Sequence, residues 1–103
     1  MDRIGKLKEF LQTDPNDSFA KHALALEYSK LGDEVTARRL LEEVLEYDPA
    51  AIGSYYQLGK LLERTGEHAL ALSWYEKGMV AARVAGEKRA YNELQAAYDD
   101  LAD

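Results

Sequence analysis

The side chains of this chain that could do chemistry are two histidines, a few serines and many carboxylates. His22 and His68 lie in no HExxH pattern and the chain has no cysteine, so the spacings typical of zinc ligands are missing. A nucleophilic serine needs a strained turn or a neighbouring base. No such pattern surrounds any of the candidates, which are Ser18, Ser29, Ser54 and Ser73. We therefore predict no metal site and no catalytic serine.

The carboxylates are typical of solvated helix faces. Acid–base catalysis needs two carboxyl groups held in a cleft with separated pKa values, whereas Glu42-Glu43, Glu46 and Asp99-Asp100 fit exposed charge. The glycines outside the predicted turns lack the spacing of a phosphate-binding loop. These glycines are Gly5, Gly53, Gly59 and Gly78. We expect no enzymatic activity and no cofactor.

The length and charge narrow the class of protein further. With 103 residues the chain fits one domain, and its net charge of −6 repels nucleic-acid backbones. The longest apolar stretches are far shorter than the roughly 18 residues that span a bilayer, and the start has no apolar run of signal-peptide length. The lack of cysteine favours a reducing compartment. We expect a cytoplasmic protein that binds neither nucleic acid nor membrane.

A spacing of about 34 residues recurs along the chain. Asp14-Pro15 returns as Asp48-Pro49, and Gly32 returns as Gly66. Other positions follow the same spacing, which we call the repeat step, namely Leu24 and Leu58, Ala25 and Gly59, Tyr28 and Leu62, Ala37 and Ala71, Leu41 and Tyr75, and Leu45 and Met79. Within each step large apolar residues recur three, four and seven apart, which is typical of helices. This pattern predicts an all-α fold built from helix–turn–helix units.

Turn signals divide the chain into six predicted helices. Gly32 and Gly66 can take the positive φ that ends a helix. Pro15 and Pro49 cannot continue a helix but suit the first turn of the next one. Small residues are expected where the two helices of a hairpin approach closely, namely Ala25, Gly59, Ala37 and Ala71. The expected helix ranges are about 2–13, 17–31, 34–47, 52–65, 67–85 and 87–101.

These residues resemble the tetratricopeptide repeat family, whose repeating unit has the same length, with large, small and aromatic positions and a closing proline. The matching residues are Leu24, Ala25, Tyr28, Ala37, Leu41 and Pro49 in one unit, and Leu58, Gly59, Leu62, Ala71 and Tyr75 in the next. Two positions depart: Leu62 replaces an aromatic, and Arg83 replaces the closing proline, so that helix is expected to run on to Gly86. The resemblance implies a right-handed superhelical stack of antiparallel helix pairs.

The resemblance also implies a single domain over residues 1–103. Residues 1–14 form an N-terminal half repeat, 15–48 the first full repeat, 49–85 the second full repeat and 86–103 a capping helix. Asn92, Glu93 and Ala96 stand where a further helix would pack. This polar face suits an outer end that contacts water.

In this family the first helix of each unit lines a concave wall that binds a protein or peptide partner. The resemblance therefore implies an interaction scaffold or adaptor with a partner-binding groove. The residues expected on that wall are Phe19, His22, Leu26, Ser29 and Lys30 in one unit, Tyr56, Lys60, Glu63 and Arg64 in the next, and Tyr91, Leu94 and Tyr98 on the last helix. For Leu94 and Tyr98, packing inside the last unit is an equal alternative.

Some proteins of that family hold the C-terminal carboxylate of heat-shock chaperones with two lysines, two asparagines and an arginine. The corresponding places in this chain hold His22, Leu26, Gln57, Glu87 and Tyr91. We therefore predict that a peptide ending in Glu-Glu-Val-Asp binds with a Kd weaker than about 10 μM.

Self-association is the alternative function. The first helix lacks its hairpin partner, which leaves Ile4, Leu7 and Phe10 covered from one side. An uncovered apolar strip of this kind is a common route to dimers. A homodimer through the N-terminal helix or the groove therefore stands beside partner binding.

Overall fold

The computed structural model describes residues 2–103 and folds them into six helices with no strand. The helices are α1 Arg3–Thr13, α2 Ser18–Lys30, α3 Glu34–Tyr47, α4 Ile52–Arg64, α5 His68–Ala85 and α6 Lys88–Ala102. The all-α class and the six helices are confirmed. The expected ranges differ by one residue at several ends, in part because they included N-cap residues such as Asp2 and Asp17.

Aspartates begin the three helices of the N-terminal half. The Asp17 carboxylate accepts a hydrogen bond from the Ala20 N–H at 2.8 Å, and Asp33 accepts one from the Thr36 N–H at 3.1 Å. Asp2 makes the equivalent bond to the Gly5 N–H. Each carboxylate satisfies an N–H that has no partner within its helix, and its negative charge faces the positive end of the helix dipole.

Three glycines end helices in the left-handed region: Gly32 and Gly66, for which a positive φ was expected, and Gly86, which was expected only to end its helix. Their φ angles are 83°, 83° and 73°. Each glycine is followed by the same hydrogen bond, in which the backbone N–H of the next residue donates to a carbonyl in the last turn of the preceding helix. The three bonds run from Asp33 to the Tyr28 carbonyl at 3.0 Å, from Glu67 to Leu62 at 2.8 Å and from Glu87 to Ala82 at 2.9 Å. The run of α5 to Ala85 confirms the predicted longer helix.

The chain divides into two compact units, one ending at Asp48 and the other beginning at Pro49. In the N-terminal unit α1 packs against α2 and α2 against α3. Its core is apolar and tightly filled, with Leu24, Ala25, Ala37, Leu41 and Val44 all nearly inaccessible to solvent. In the C-terminal unit α5 packs against both α4 and α6. The core residues of this unit include Leu58, Leu62, Ala71, Tyr75 and Leu94.

Gly59 sets the separation of α4 and α5. A Cβ at this position would lie 2.1 Å from the Tyr75 ring, inside van der Waals contact. Gly78 makes the reciprocal approach from α5, because its Cβ would lie 2.6 Å from the Tyr55 Cβ. The expectation of a small residue at a close helix approach is confirmed at Gly59. Over residues 2–103, no helix is long and apolar enough to cross a membrane.

Candidate partner-binding surface

The exposed side of α2 forms a hollow of about 420 Å³ in the N-terminal unit. Helical spacing brings four residues that the sequence predicted for partner binding to this one place. The hollow is lined by Arg3, Phe19, His22, Ala23, Leu26, Glu27 and Lys30. The α2 hollow, as we call it, therefore contains Phe19, His22, Leu26 and Lys30 together.

The surface of the α2 hollow is apolar at its centre. Ala23 is buried, Leu26 is half-buried and Phe19 is 81% exposed. His22 lies among them half-buried, and this burial lowers the pKa of its imidazole below the ordinary 6.5. The imidazole is therefore uncharged at neutral pH. Apolar surface of this kind is suited to an aliphatic or aromatic side chain of a partner.

Charged groups stand at the edge of the α2 hollow. The Glu27 carboxylate forms ion pairs with Arg3 at 3.3 Å and with Lys30 at 3.1 Å. Two cations thus share one carboxylate, which leaves a net positive charge here in a chain of net charge −6. Both cations are largely exposed, so their charge faces solvent and any bound partner.

The corresponding side of α4 presents an aromatic ring beside cations. The repeat step carries His22, Leu26 and Lys30 onto Tyr56, Lys60 and Arg64. The Lys60 ammonium lies 5.6 Å from the Tyr56 ring centroid, a cation–π distance. Tyr56 is half-buried and Arg64 is exposed. We call this set, with Glu63, the α4 face.

Glu63 is held by groups of its own unit. Its carboxylate accepts a hydrogen bond from the buried Tyr75 hydroxyl and lies 3.7 Å from the Lys60 ammonium. Burial, and then the hydrogen bond and charge of Glu63, raise the pKa of Tyr75 above its usual range, so this hydroxyl stays protonated and donates. The bond fixes Glu63, and Glu63 helps to place Lys60 over Tyr56.

Tyr91 lies in a second hollow, at the turn between α5 and α6. The Arg83 guanidinium is 5.3 Å from the Tyr91 ring centroid, and its Nη2 donates to the Tyr91 hydroxyl at 3.2 Å. The hollow measures about 410 Å³ and is lined by Ala82, Arg83, Gly86, Glu87, Lys88 and Tyr91. Tyr98 is half-buried on the same helix, two turns further on.

Leu94 belongs to the core and not to the binding surface. Its side chain is 1% exposed, and its Cδ1 lies 3.0 Å from the position that a Cβ on Gly78 would take. Leu94 was expected either on the binding wall or packed inside the last unit, and the structure places it inside the unit. The missing side chain of Gly78 leaves the space that Leu94 fills.

Sequence reasoning missed Arg3, Ala23 and Glu27 as lining residues of the α2 hollow. Glu27 could have been found, because it precedes Lys30 by three residues and such pairs meet on a helix. Arg3 carries no local signal, since it reaches Glu27 only through the packing of α1 on α2. Among residues 2–103 no group of three or more histidines and carboxylates is placed to hold a metal ion.

Paired helices that recur at a regular step along the sequence define a helical repeat protein. The family model for the tetratricopeptide repeat matches residues 20–50 and 52–79. The chain belongs to the tetratricopeptide repeat family. Domains of this family are generally protein–protein interaction modules.

Individual relatives and solved structures are similar to this chain. The chain is 28% identical over 91 residues to a TPR repeat-containing protein of Pseudomonas aeruginosa, covering 88% of this chain and 87% of the relative. A tetratricopeptide repeat domain protein from Salinibacter ruber is 39% identical, with a TM-score of 0.82 over 84% of this chain and 88% of the other. The TPR2B domain of yeast Sti1, solved as a complex with pHsp70, gives a TM-score of 0.89 at 17% identity over 96% of this chain and 79% of the other.

Proposed function

We propose that the protein is a non-catalytic interaction module that binds a peptide segment of a partner protein at the α2 hollow, and that the α4 face is a further contact surface of the C-terminal unit. The observation that carries this proposal is the α2 hollow, where Phe19, His22, Leu26 and Lys30 line one depression with apolar surface and charged edges. Concave, largely apolar sites with a few polar groups are the usual form of a ligand site.

The chemistry of the surface favours a mixed peptide. An apolar side chain would contact Leu26 and Phe19 in the α2 hollow, while an acidic group would lie near Lys30. On the α4 face, Tyr56 offers a large ring of low conformational entropy, and Lys60 adds a second cation. An extended peptide loses conformational freedom on binding, so a modest affinity is expected.

The likeness to the Sti1 domain shows the fold and leaves the partner open. That domain was solved with pHsp70. This chain has His22, Leu26, Gln57, Glu87 and Tyr91 at the places where the carboxylate-binding residues of such proteins would fall. We therefore propose a partner other than an acidic chaperone tail.

Selection from a random peptide display library tests the proposal. The wild-type chain should enrich a related set of peptides, and Leu26→Glu should lose them, because it places a carboxylate at the centre of the α2 hollow. Val35→Glu is the matched control, since it makes the same change at an apolar residue that is 82% exposed on α3. Peptides that bind the Leu26→Glu variant as well as the wild type, or that are lost with Val35→Glu, would contradict the proposed site.

Self-association is the second candidate function, and a different observation favours it. Leu7, Phe10 and Phe19 edge a hollow of about 540 Å³, in which Phe10 is 51% and Phe19 81% exposed. Large exposed apolar side chains in one patch are typical of interaction sites.

Light scattering over a concentration series tests this function, and a strict monomer at millimolar concentration would exclude it. A dimer that Phe10→Glu breaks and Tyr56→Ala leaves intact would place the contact on α1.

A further inference from the structure

Within residues 2–103, the first and last helices are unpaired halves of a repeat. Adding the repeat step of about 34 residues to α1 gives residues 37–47, which lie in α3. Adding it to α4 gives residues 86–98, most of which lie in α6. Each repeat unit consists of a first and a second helix. By their positions in the repeat, α2, α4 and α6 are first helices, and α1, α3 and α5 are second helices. Over the described part of the chain, α1 is thus a second helix without its first helix, and α6 is a first helix without its second.

The α4–α5 pair shows which face a second helix turns toward its first helix. Tyr75 contacts Gly59, and Gly78 contacts Tyr55, so the face of α5 toward α4 runs through residues 75 and 78. The same register in α1 gives Leu7 and Phe10. Tyr75 is fully buried, whereas Leu7 is only half-buried and Phe10 is 51% exposed. This face of α1, extended by Arg3 one turn earlier and by its neighbour Lys6, is therefore uncovered.

The matching face of α6 follows from the same contacts. Tyr55 and Gly59 of α4 correspond to Arg89 and Glu93 of α6, and both of these are exposed. The face continues through Ala96 to the exposed Asp99 and Asp100. It is polar and, toward its C-terminal end, acidic.

The charges of the two faces are complementary. On the uncovered face of α1 stand the exposed Lys6 and the largely exposed Arg3, which shares its charge with Glu27, whereas Lys8 lies over the Tyr28 ring of α2. Residues 92–103 contain four acids, Glu93, Asp99, Asp100 and Asp103, and no lysine or arginine. The cations at the start of α1 and the acids at the C-terminal end of α6 carry the complementary charges that an antiparallel pair between two copies needs.

We infer that α1 of one copy docks on α6 of a second copy and forms a helix hairpin with it. This inference rests on self-association, the second of the functions proposed above. In the register of α4 and α5, Phe10 would meet Arg89 in a cation–π contact and Leu7 would meet Glu93. Arg3 and Lys6 would lie toward the acidic end of α6. The contact is heterologous, so successive copies add head to tail.

An isologous contact between two copies of α1 is disfavoured by the same charges. It would pair two helices that each carry an excess of positive charge, Arg3, Lys6 and Lys8 against Glu9, at a cost that rises at low salt. The head-to-tail contact has the opposite salt dependence. Because its charged groups are exposed, salt should weaken it, by about tenfold in Kd between dilute buffer and about 0.5 M salt.

Sedimentation velocity of the full chain with two variants tests the inference. Phe10→Glu damages the α1 face and leaves α6 intact, whereas Glu93→Lys damages the α6 face and leaves α1 intact. Each variant should be monomeric at concentrations where the wild type associates. An equal mixture should form a 1:1 complex that grows no further, because only one intact pair of faces remains. Glu76→Lys, the same change at an exposed acid of α5, is the control and should associate like the wild type.

Two results would overturn the inference in distinguishable ways. A wild-type chain that stays monomeric at millimolar concentration would remove both self-association and the head-to-tail contact. Association that Phe10→Glu abolishes and Glu93→Lys leaves at wild-type strength would retain self-association but assign it to an α1–α1 contact. The mixture serves as its own folding control, since a 1:1 complex requires that both variants be folded.

Discussion

Gly59 and Tyr75 show how single residues fix the packing of a helix pair. Tyr75 is fully buried, its ring lies where a Cβ on Gly59 would be, and its hydroxyl donates to Glu63. The glycine therefore places the aromatic ring, and the ring in turn places a carboxylate of the α4 face. A substitution at Gly59 would therefore displace Tyr75 and, through the hydrogen bond, Glu63 on the α4 face.

Gly59→Ala should lower the free energy of unfolding. The added methyl group would overlap the Tyr75 ring, and overpacking of a filled core costs about 1–3 kcal/mol, which outweighs the gain of at most about 1 kcal/mol in helix propensity. Urea denaturation followed by circular dichroism measures the change. Gly53→Ala is the matched control in the same helix, because position 53 is exposed and the substitution should be neutral or stabilising.

His22 makes stability depend on pH. Burial lowers its pKa below 6.5 in the folded state, so the unfolded chain takes up a proton that the folded chain does not. The free energy of unfolding should therefore fall as the pH drops from about 7.5 to about 5.5. His22→Gln should flatten this part of the profile. An unchanged profile in the His22→Gln variant would contradict this origin.

At the scale of the elements, glycine turns join successive helices, α2 to α3, α4 to α5 and α5 to α6. Gly32, Gly66 and Gly86 share the left-handed conformation and the same closing hydrogen bond. No atom lies within 4 Å of an added Cβ at any of the three, so their requirement is conformational and not steric crowding. The backbone dihedral is the feature that selects glycine here.

Gly66→Ala should destabilise the chain by about 1–2 kcal/mol, the cost of a left-handed conformation for a residue with a Cβ. Gly66→Asn should cost less, because asparagine tolerates this region better than alanine. Thermal or urea unfolding of the two variants provides the measurement. Equal stability of the alanine variant and the wild type would show that the turn changes its conformation at no cost.

The helices and turns were predictable because their signals are local. A glycine with positive φ, a proline after an aspartate and an apolar residue every three or four positions each act within a few residues. The α2 hollow was partly predictable for the same reason, since Phe19, His22, Leu26 and Lys30 follow helical spacing.

The remainder of the site depends on tertiary packing, which local signals do not specify. Arg3 joins the α2 hollow because α1 packs on α2 and brings its guanidinium to Glu27. Leu94 is in the core because Gly78 leaves room for it on the neighbouring helix. The predicted binding wall therefore wrongly included Leu94. The predicted α2 part of it lacked Arg3, which comes from a different helix.

At the scale of the whole molecule, charge is unevenly distributed in an acidic chain. Cations collect on the exposed sides of α1, α2 and α4, where Arg3, Lys30 and Lys60 stand beside apolar or aromatic groups. Acids collect toward the C-terminal end of α6. A family that generally mediates protein–protein interaction would use such contrasts to select and orient its partners.

Position-specific photocrosslinking in living cells most directly tests whether a partner protein contacts the α2 hollow, and it tests the α4 face separately. A photoreactive phenylalanine analogue would replace Leu26, Lys60, Val35 or Val84 in turn, the last two being 82% and 84% exposed on α3 and α5. A partner protein should crosslink from position 26, and a partner should also crosslink from position 60, with no crosslink from either control position. Crosslinks from positions 35 and 84, with none from 26 and 60, would contradict both contacts.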